Sequence, residues 1–133
     1  MSPKIEVTSR ITSTYPPGGG GAPPGTKPDA NSFGYTGTLT PYGDASSSVL
    51  YLNAGTYQDL DFRNHPVVAD AAGVHIQNCK GPAFTSYWGD FLVQNTVSYG
   101  IYVDCYYRAI NGVDLLNNKV IGTDGDGIDL FST

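Results

Sequence analysis

The sequence predicts an all-β body, a short solenoid of stacked parallel strands, carried behind an extended N-terminal arm. Three observations lead there. The first is a five-residue phrase, apolar, any, apolar, any, asparagine, which occurs as LDFRN from Leu60, VHIQN from Val74, FLVQN from Phe91 and VDLLN from Val113. Apolar residues in alternation make a strand with one buried face, and asparagine suits the turn that ends it. The second is the spacing of the phrases, 14, 17 and 22 residues. That is too short for a helical crossover at each step and right for one circuit of a solenoid. The third is composition: 17 glycines and 9 prolines, with 14% of residues charged, favour tight turns and extended backbone over amphipathic helix.

In chain order, the sequence divides into an arm (1–15), a linker (16–30) and a body (31–133). In the arm, Ile5, Val7 and, past a polar break, Ile11 share one face of an extended segment. Together with Arg10 they are the residues expected to meet a partner, by adding a strand to the sheet edge of a neighbouring subunit. The linker contains PPGGGGAPPGTKP, ten of whose thirteen residues are proline or glycine; it can be neither helix nor sheet interior. The body opens with a turn-rich lead-in over Asn31 to Tyr42 and a first strand, VLYLNAGTY, over Val49 to Tyr57. Further strands introduced by glycine, GIYVD from Gly100 and GIDLF from Gly127, imply more than one strand per circuit. Asn64, Asn78, Asn95 and Asn117, one per phrase, are expected to form a ladder: asparagine tolerates a left-handed corner, and its amide can bond to its equivalent one circuit away.

The net charge of −5 is unevenly placed. Residues 1–43 carry +1, whereas the remainder sets ten aspartates against Arg63, Lys80, Arg108 and Lys119. Such an acidic body argues against binding nucleic acid by phosphate neutralisation. No apolar run is long enough to span a bilayer, and the first residues lack a basic-then-apolar leader, so a soluble chain starting near Met1 is expected. Cys79 and Cys105, in neighbouring circuits, are read as buried reduced thiols in preference to a disulfide. Without clustered histidines they make no zinc site.

Candidate chemistry is sparse. Asp124, Asp126 and Asp129 crowd in GTDGDGIDL, but aspartate alternating with glycine reads as a tight turn. Asp104 and Asp129 are expected to face outward on neighbouring coils near Arg108, without the oxygen-rich cage that calcium needs. His65 at a corner and His75 on an outward strand position are expected to be solvated. No catalytic, cofactor or metal site is therefore expected. Aromatic residues are the stronger surface signal: Tyr87, Trp88, Tyr99, Tyr102, Tyr106 and Tyr107 gather around Phe91 to Asn95. Such rings stack on sugars or anchor protein interfaces.

VLYLNAGTY, and VDLLNNKVIG followed by GDGIDL (Val113 to Leu130), resemble coil motifs of right-handed parallel β-helix proteins of the pectate-lyase-like superfamily. The resemblance implies a β-helix of about five coils, about 20–25 Å long, and likens the aspartate-rich turn to that of polygalacturonase-like hydrolases. Enzymes of that superfamily have many more coils, however, and an active-site groove built across several of them. The lead-in PDANSFGYTGTLTPY (Pro28 to Tyr42) is similar to that of short β-helix proteins in bacterial secreted proteins and in tailed-phage virions. This implies a structural virion protein, capsid-associated in preference to tail-associated, docking on other virion proteins and above all the major capsid protein. The alternative it leaves is a glycan-binding tail protein or a reduced polysaccharide lyase or hydrolase. The final GIDLFST lacks a polar capping helix, so either a partner surface over that end or a longer parent chain is expected. The lengthening circuits predict a body wider at its C-terminal side.

Overall fold

The computed structural model describes residues 5–7, 33–105, 108–121 and 127–131. The arm contributes β1 (Ile5–Val7) and the lead-in β2 (Thr40–Pro41). Each circuit then supplies three strands. The first has β3 (Leu50–Leu52), β4 (Gly55–Gln58) and β5 (Leu60–Asp61); the second β6 (Val67–Ala69), β7 (Val74–Gln77) and β8 (Lys80–Gly81). The third has β9 (Phe84–Ser86), β10 (Phe91–Gln94) and β11 (Val97–Ser98); the fourth β12 (Ile101–Asp104), β13 (Ile110–Leu116) and β14 (Lys119–Val120). A last strand, β15 (Ile128–Phe131), stacks on β12.

Among the described residues every pairing is parallel; equivalent strands of successive circuits stack, with β1 added to one edge of sheet A and β2 to one edge of sheet B, giving three sheets of five. Sheet A runs β1-β13-β10-β7-β4, sheet B β14-β11-β8-β5-β2 and sheet C β15-β12-β9-β6-β3. The chain is a right-handed parallel β-helix of about four turns, one fewer than the coil motifs imply.

Two repeating corners frame sheet A. Asp59, Asn78, Asn95 and Asn117 leave its strands at φ between 51° and 59°. Gly73, Asp90 and Gly112, at positive φ, precede β7, β10 and the paired part of β13. The repeat is thus six residues long: GVHIQN, DFLVQN and GVDLLN are in register, with AGTYQD as the first copy. LDFRN belongs elsewhere, because Leu60 and Asp61 lie in sheet B and pair towards β8. Asn64 is therefore not a rung of the ladder; Asp59 holds that place, and the first interval is 19 residues, from Thr56 to His75. Leu60 and Phe62 alternate apolar like a sheet A strand, and periodicity alone cannot tell two inward faces apart. VLYLNAGTY likewise divides into β3 and β4, in different sheets.

Inside, side chains stack by circuit. Val74, Phe91 and Val113 form one column of sheet A and Ile76, Val93 and Leu115 another. Tyr42, Phe62 and Phe84 stack edge to face, with centroids 5.2 and 5.7 Å apart. Gly81 leaves room for them: a Cβ there would stand 2.9 Å from Phe84 Cζ and 3.3 Å from Phe62 Cβ. Burying each phenylalanine contributes about 2–3 kcal/mol.

The lead-in is more than a turn. Residues 34–40 descend the A–B corner from the fourth circuit to the first: Gly34 donates its N–H to Asn117 O, and Thr40 donates its N–H to Asp59 O. Between them, Thr36 N–H donates to Asn78 Oδ1, and Asn78 Nδ2 donates to Thr36 O and to Asp59 Oδ1, each within 2.9 Å. The Asn78 amide thus bonds to an axial strap and, one circuit below, to an aspartate.

His65, expected at the surface, is buried. Its Nδ1 lies 2.7 Å from Ser48 O and its Nε2 3.0 Å from Asp44 O, so the ring pins the 44–48 loop across the N-terminal end. The preceding αL residue, Arg63 (φ 58°), turns the chain inward there. At the other end β1 pairs in parallel with β13 of its own chain. The strand expected to add to a neighbouring subunit thus has an intramolecular position. Arg10, Ile11 and the Pro/Gly linker lie outside the described residues.

Gly81→Val should lower stability by about 1–3 kcal/mol through overpacking against the two phenylalanines, read as a lower urea midpoint. Asn78→Ala loses three hydrogen bonds and the left-handed preference, whereas Asn78→Gly loses only the bonds. Alanine should therefore cost about 2–4 kcal/mol and glycine about 1 kcal/mol less.

Candidate binding surfaces

The outward column of sheet B reads Asp61, Lys80, Val97, Lys119, one residue per circuit. Lys80, Val97 and Lys119 each lie two residues beyond a corner asparagine. Beside them, the B–C corner supplies Arg63, Tyr99 and Ile121, and the strap supplies Phe33 and Tyr35. The result is a groove in two continuous parts of about 340 and 430 Å³, sharing Lys80, Val97, Tyr99 and Ile121. Tyr99 is 52% exposed and Ile121 43%.

Three of the body's four cations converge on this groove. Among the described residues none of the three is in an ion pair: both recorded pairs are histidine ones, His65 with Asp44 and His75 with Asp90. Arg108, the fourth, covers the Trp88 ring at 3.7 Å from its centroid. Asp61 lines the same groove beside Arg63 and Lys80, so its charge is mixed with cations in excess.

Sheet C presents the opposite character. Its outward residues include Tyr51, Thr85, Tyr102 and Asp129 in one column and Asp70, Tyr87 and Asp104 in the next. Asp104 and Asp129 thus face outward on neighbouring coils, as expected. Of the aromatic set, Tyr87 and Tyr102 lie on sheet C with Trp88 just beyond, while Tyr99 belongs to the sheet B groove. Tyr106, Tyr107, Asp124 and Asp126 lie outside the described residues.

His75 is outward and bonds Asp90 Oδ1 at 2.9 Å, away from the sheet C carboxylates. Among the described residues no group of three or more His, Cys, Asp or Glu is placed to hold a metal ion, and no helix is long and apolar enough to cross a membrane. Cys79 and Cys105 are both buried but at different corners, one after sheet A and one after sheet C, so they are not stacked neighbours. Burial pushes the Cys79 thiol up to about 11, against the lowering effect of its bonds to backbone carbonyls, which include Gln77 O at 3.1 Å.

The sequence reading missed the groove. Its signal was the alignment NCKG, NTVS and NNKV on the corner asparagines, which brings Lys80, Val97 and Lys119 into one column. The strap residues carried no such signal, because their partners lie from 19 to 83 positions away, on three different circuits.

The geometry defines a class, the right-handed parallel β-solenoid, an architecture consistent with the pectate-lyase-like superfamily. Comparison of the chain with protein-family models, curated proteins and solved structures returned no match.

Because the folded thiol of Cys79 ionises above its ordinary value of 9.0, its contribution is intact below pH 9 and lost as pH rises towards 11. Wild type should therefore lose about 2–3 kcal/mol relative to Cys79→Ser over that window, measured by urea denaturation at each pH.

Proposed function

We propose that the chain is a non-enzymatic structural protein that docks on a partner within a larger particle, through the groove of sheet B. The observation that carries this reading is the groove's three cations, in no ion pair among the described residues, beside exposed aromatic and aliphatic side chains on a face of stacked circuits. Cations beside exposed rings are what a specific protein interface uses, and they need no catalytic group. The likeness of the lead-in to short β-helices of tailed-phage virions supports a virion as the particle. Within it, the role is that of a capsid-associated stabilising protein, with the major capsid protein as its principal partner. In the same reading the arm contributes by strand exchange: Ile5–Val7 leaves its own β13 for the equivalent edge of a neighbour.

A second reading, glycan binding or polysaccharide cleavage, is favoured by the tyrosines and aspartates that share the outer face of sheet C. Rings stack on sugars, and paired carboxylates serve glycosidic chemistry. Turnover of an acidic polysaccharide, lost in Asp129→Ala, would replace the first reading with this one.

For the first reading, Lys80→Glu with Lys119→Glu should reduce incorporation into particles at least tenfold while leaving the melting temperature within a few degrees. Deleting residues 1–28 should abolish incorporation. Both are scored by quantifying the protein in purified particles, and unchanged incorporation in both cases would refute the docking role.

A further inference from the structure

The two outward faces carry matching patterns at matching heights. On sheet B, circuits two, three and four present Lys80, Val97 and Lys119. On sheet C, the same three circuits present Asp70, Tyr87 and Asp104, since Ala69 pairs with Ser86 and Ser86 with Val103 immediately before them. One column reads cation, apolar, cation; the other anion, aromatic, anion. In both, the charges are two circuits apart, about 10 Å at the spacing of parallel strands.

We propose that a second copy of this chain occupies the groove, its sheet C face against sheet B of the first. With the two solenoids side by side, level and parallel, Lys80 meets Asp70, Val97 meets Tyr87 and Lys119 meets Asp104. Asp61, one circuit below Lys80, then falls opposite Asn53, whose amide can donate to it. Tyr87, 38% exposed, projects towards the groove floor between Tyr99 and Tyr35. An antiparallel arrangement also pairs the charges but gives Asp61 no such donor.

The contact is heterologous, so each copy keeps one face of each kind free and assembly proceeds to a ring or a row. Four stacked circuits give a contact at the small end of protein interfaces, which implies weak association driven by charge and sensitive to salt. This rests on the docking reading and assigns the groove itself to a second copy, leaving the arm to meet the major capsid protein.

Sedimentation velocity of the full chain tests it. Wild type at about 20 mM salt should sediment as an oligomer and return to monomer near 0.5 M, where the Debye length falls to a few ångströms. Lys80→Glu/Lys119→Glu and Asp70→Lys/Asp104→Lys should each remain monomeric at low salt. Their equimolar mixture should recover the wild-type mass, because one brings two negative faces and the other two positive ones. Far-UV circular dichroism confirms folding; should a double variant unfold, the single changes K80E and D70K, both at exposed positions, take its place. A monomeric wild type at low salt, a charge variant that associates like wild type, or a mixture that stays monomeric would each overturn the self-association. If wild type is monomeric yet K80E/K119E is still lost from particles, docking on a foreign chain stands and only the second copy is excluded.

Discussion

A parallel solenoid holds together only if each circuit returns to the same position one strand spacing further along the axis. Here that closure is set at the two corners around sheet A. A residue with positive φ before the strand and another after it turn the chain sharply at either end, so four side chains between them meet their counterparts without drift. Asparagine, aspartate and glycine occupy these corners because they bear the left-handed backbone at least cost. The interior columns, the outward columns and the groove all inherit their alignment from it. The extra residues of the longer circuits are consequently taken up between strands: β12 and β13 are separated by residues 105–109, and β14 and β15 by residues 121–127.

The same constraint explains what the sequence made legible. Alternation followed by asparagine revealed the solenoid and three of its four sheet A corners, and the glycine-led segments revealed β12 and β15. It misplaced Asn64, since Leu60 and Phe62 imitate the alternation of sheet A while belonging to the next face. The residue before the strand would not have fixed the register either, since Asp59 stands before LDFRN as Asp90 stands before FLVQN, both at positive φ. His65 was misjudged for a different reason: a polar residue before proline looks solvated until the loop that covers it, 17 to 21 positions earlier, is known.

Surface function was the least legible level. Aromatic content pointed to sheet C and its surroundings, and the structure does gather Tyr87, Tyr102, Asp104 and Asp129 on that face. The cations were read only as a minority within an acidic body. Their meaning comes from position: charge that is diluted along the chain becomes concentrated when every seventeenth to twenty-second residue is brought into line. In a solenoid, composition therefore matters less than phase, and a net charge of −5 coexists with a groove lined by three cations and one aspartate.

The strap along the A–B corner alters how such a body can come apart. Repeat proteins ordinarily gain and lose circuits one at a time, since each touches only its neighbours. Here the segment around Gly34 is bonded to the fourth circuit and that around Thr40 to the first, which couples distant circuits into one cooperative unit. It also joins residues 83 positions apart, Gly34 and Asn117, a long loop that must close late in folding. During synthesis the strap leaves the ribosome before any circuit exists to receive it and finds its full set of partners only once Asn117 has emerged. The nascent chain therefore carries exposed, unclamped circuits until the fourth has been made, and the clamp acts as a completion step for the four circuits.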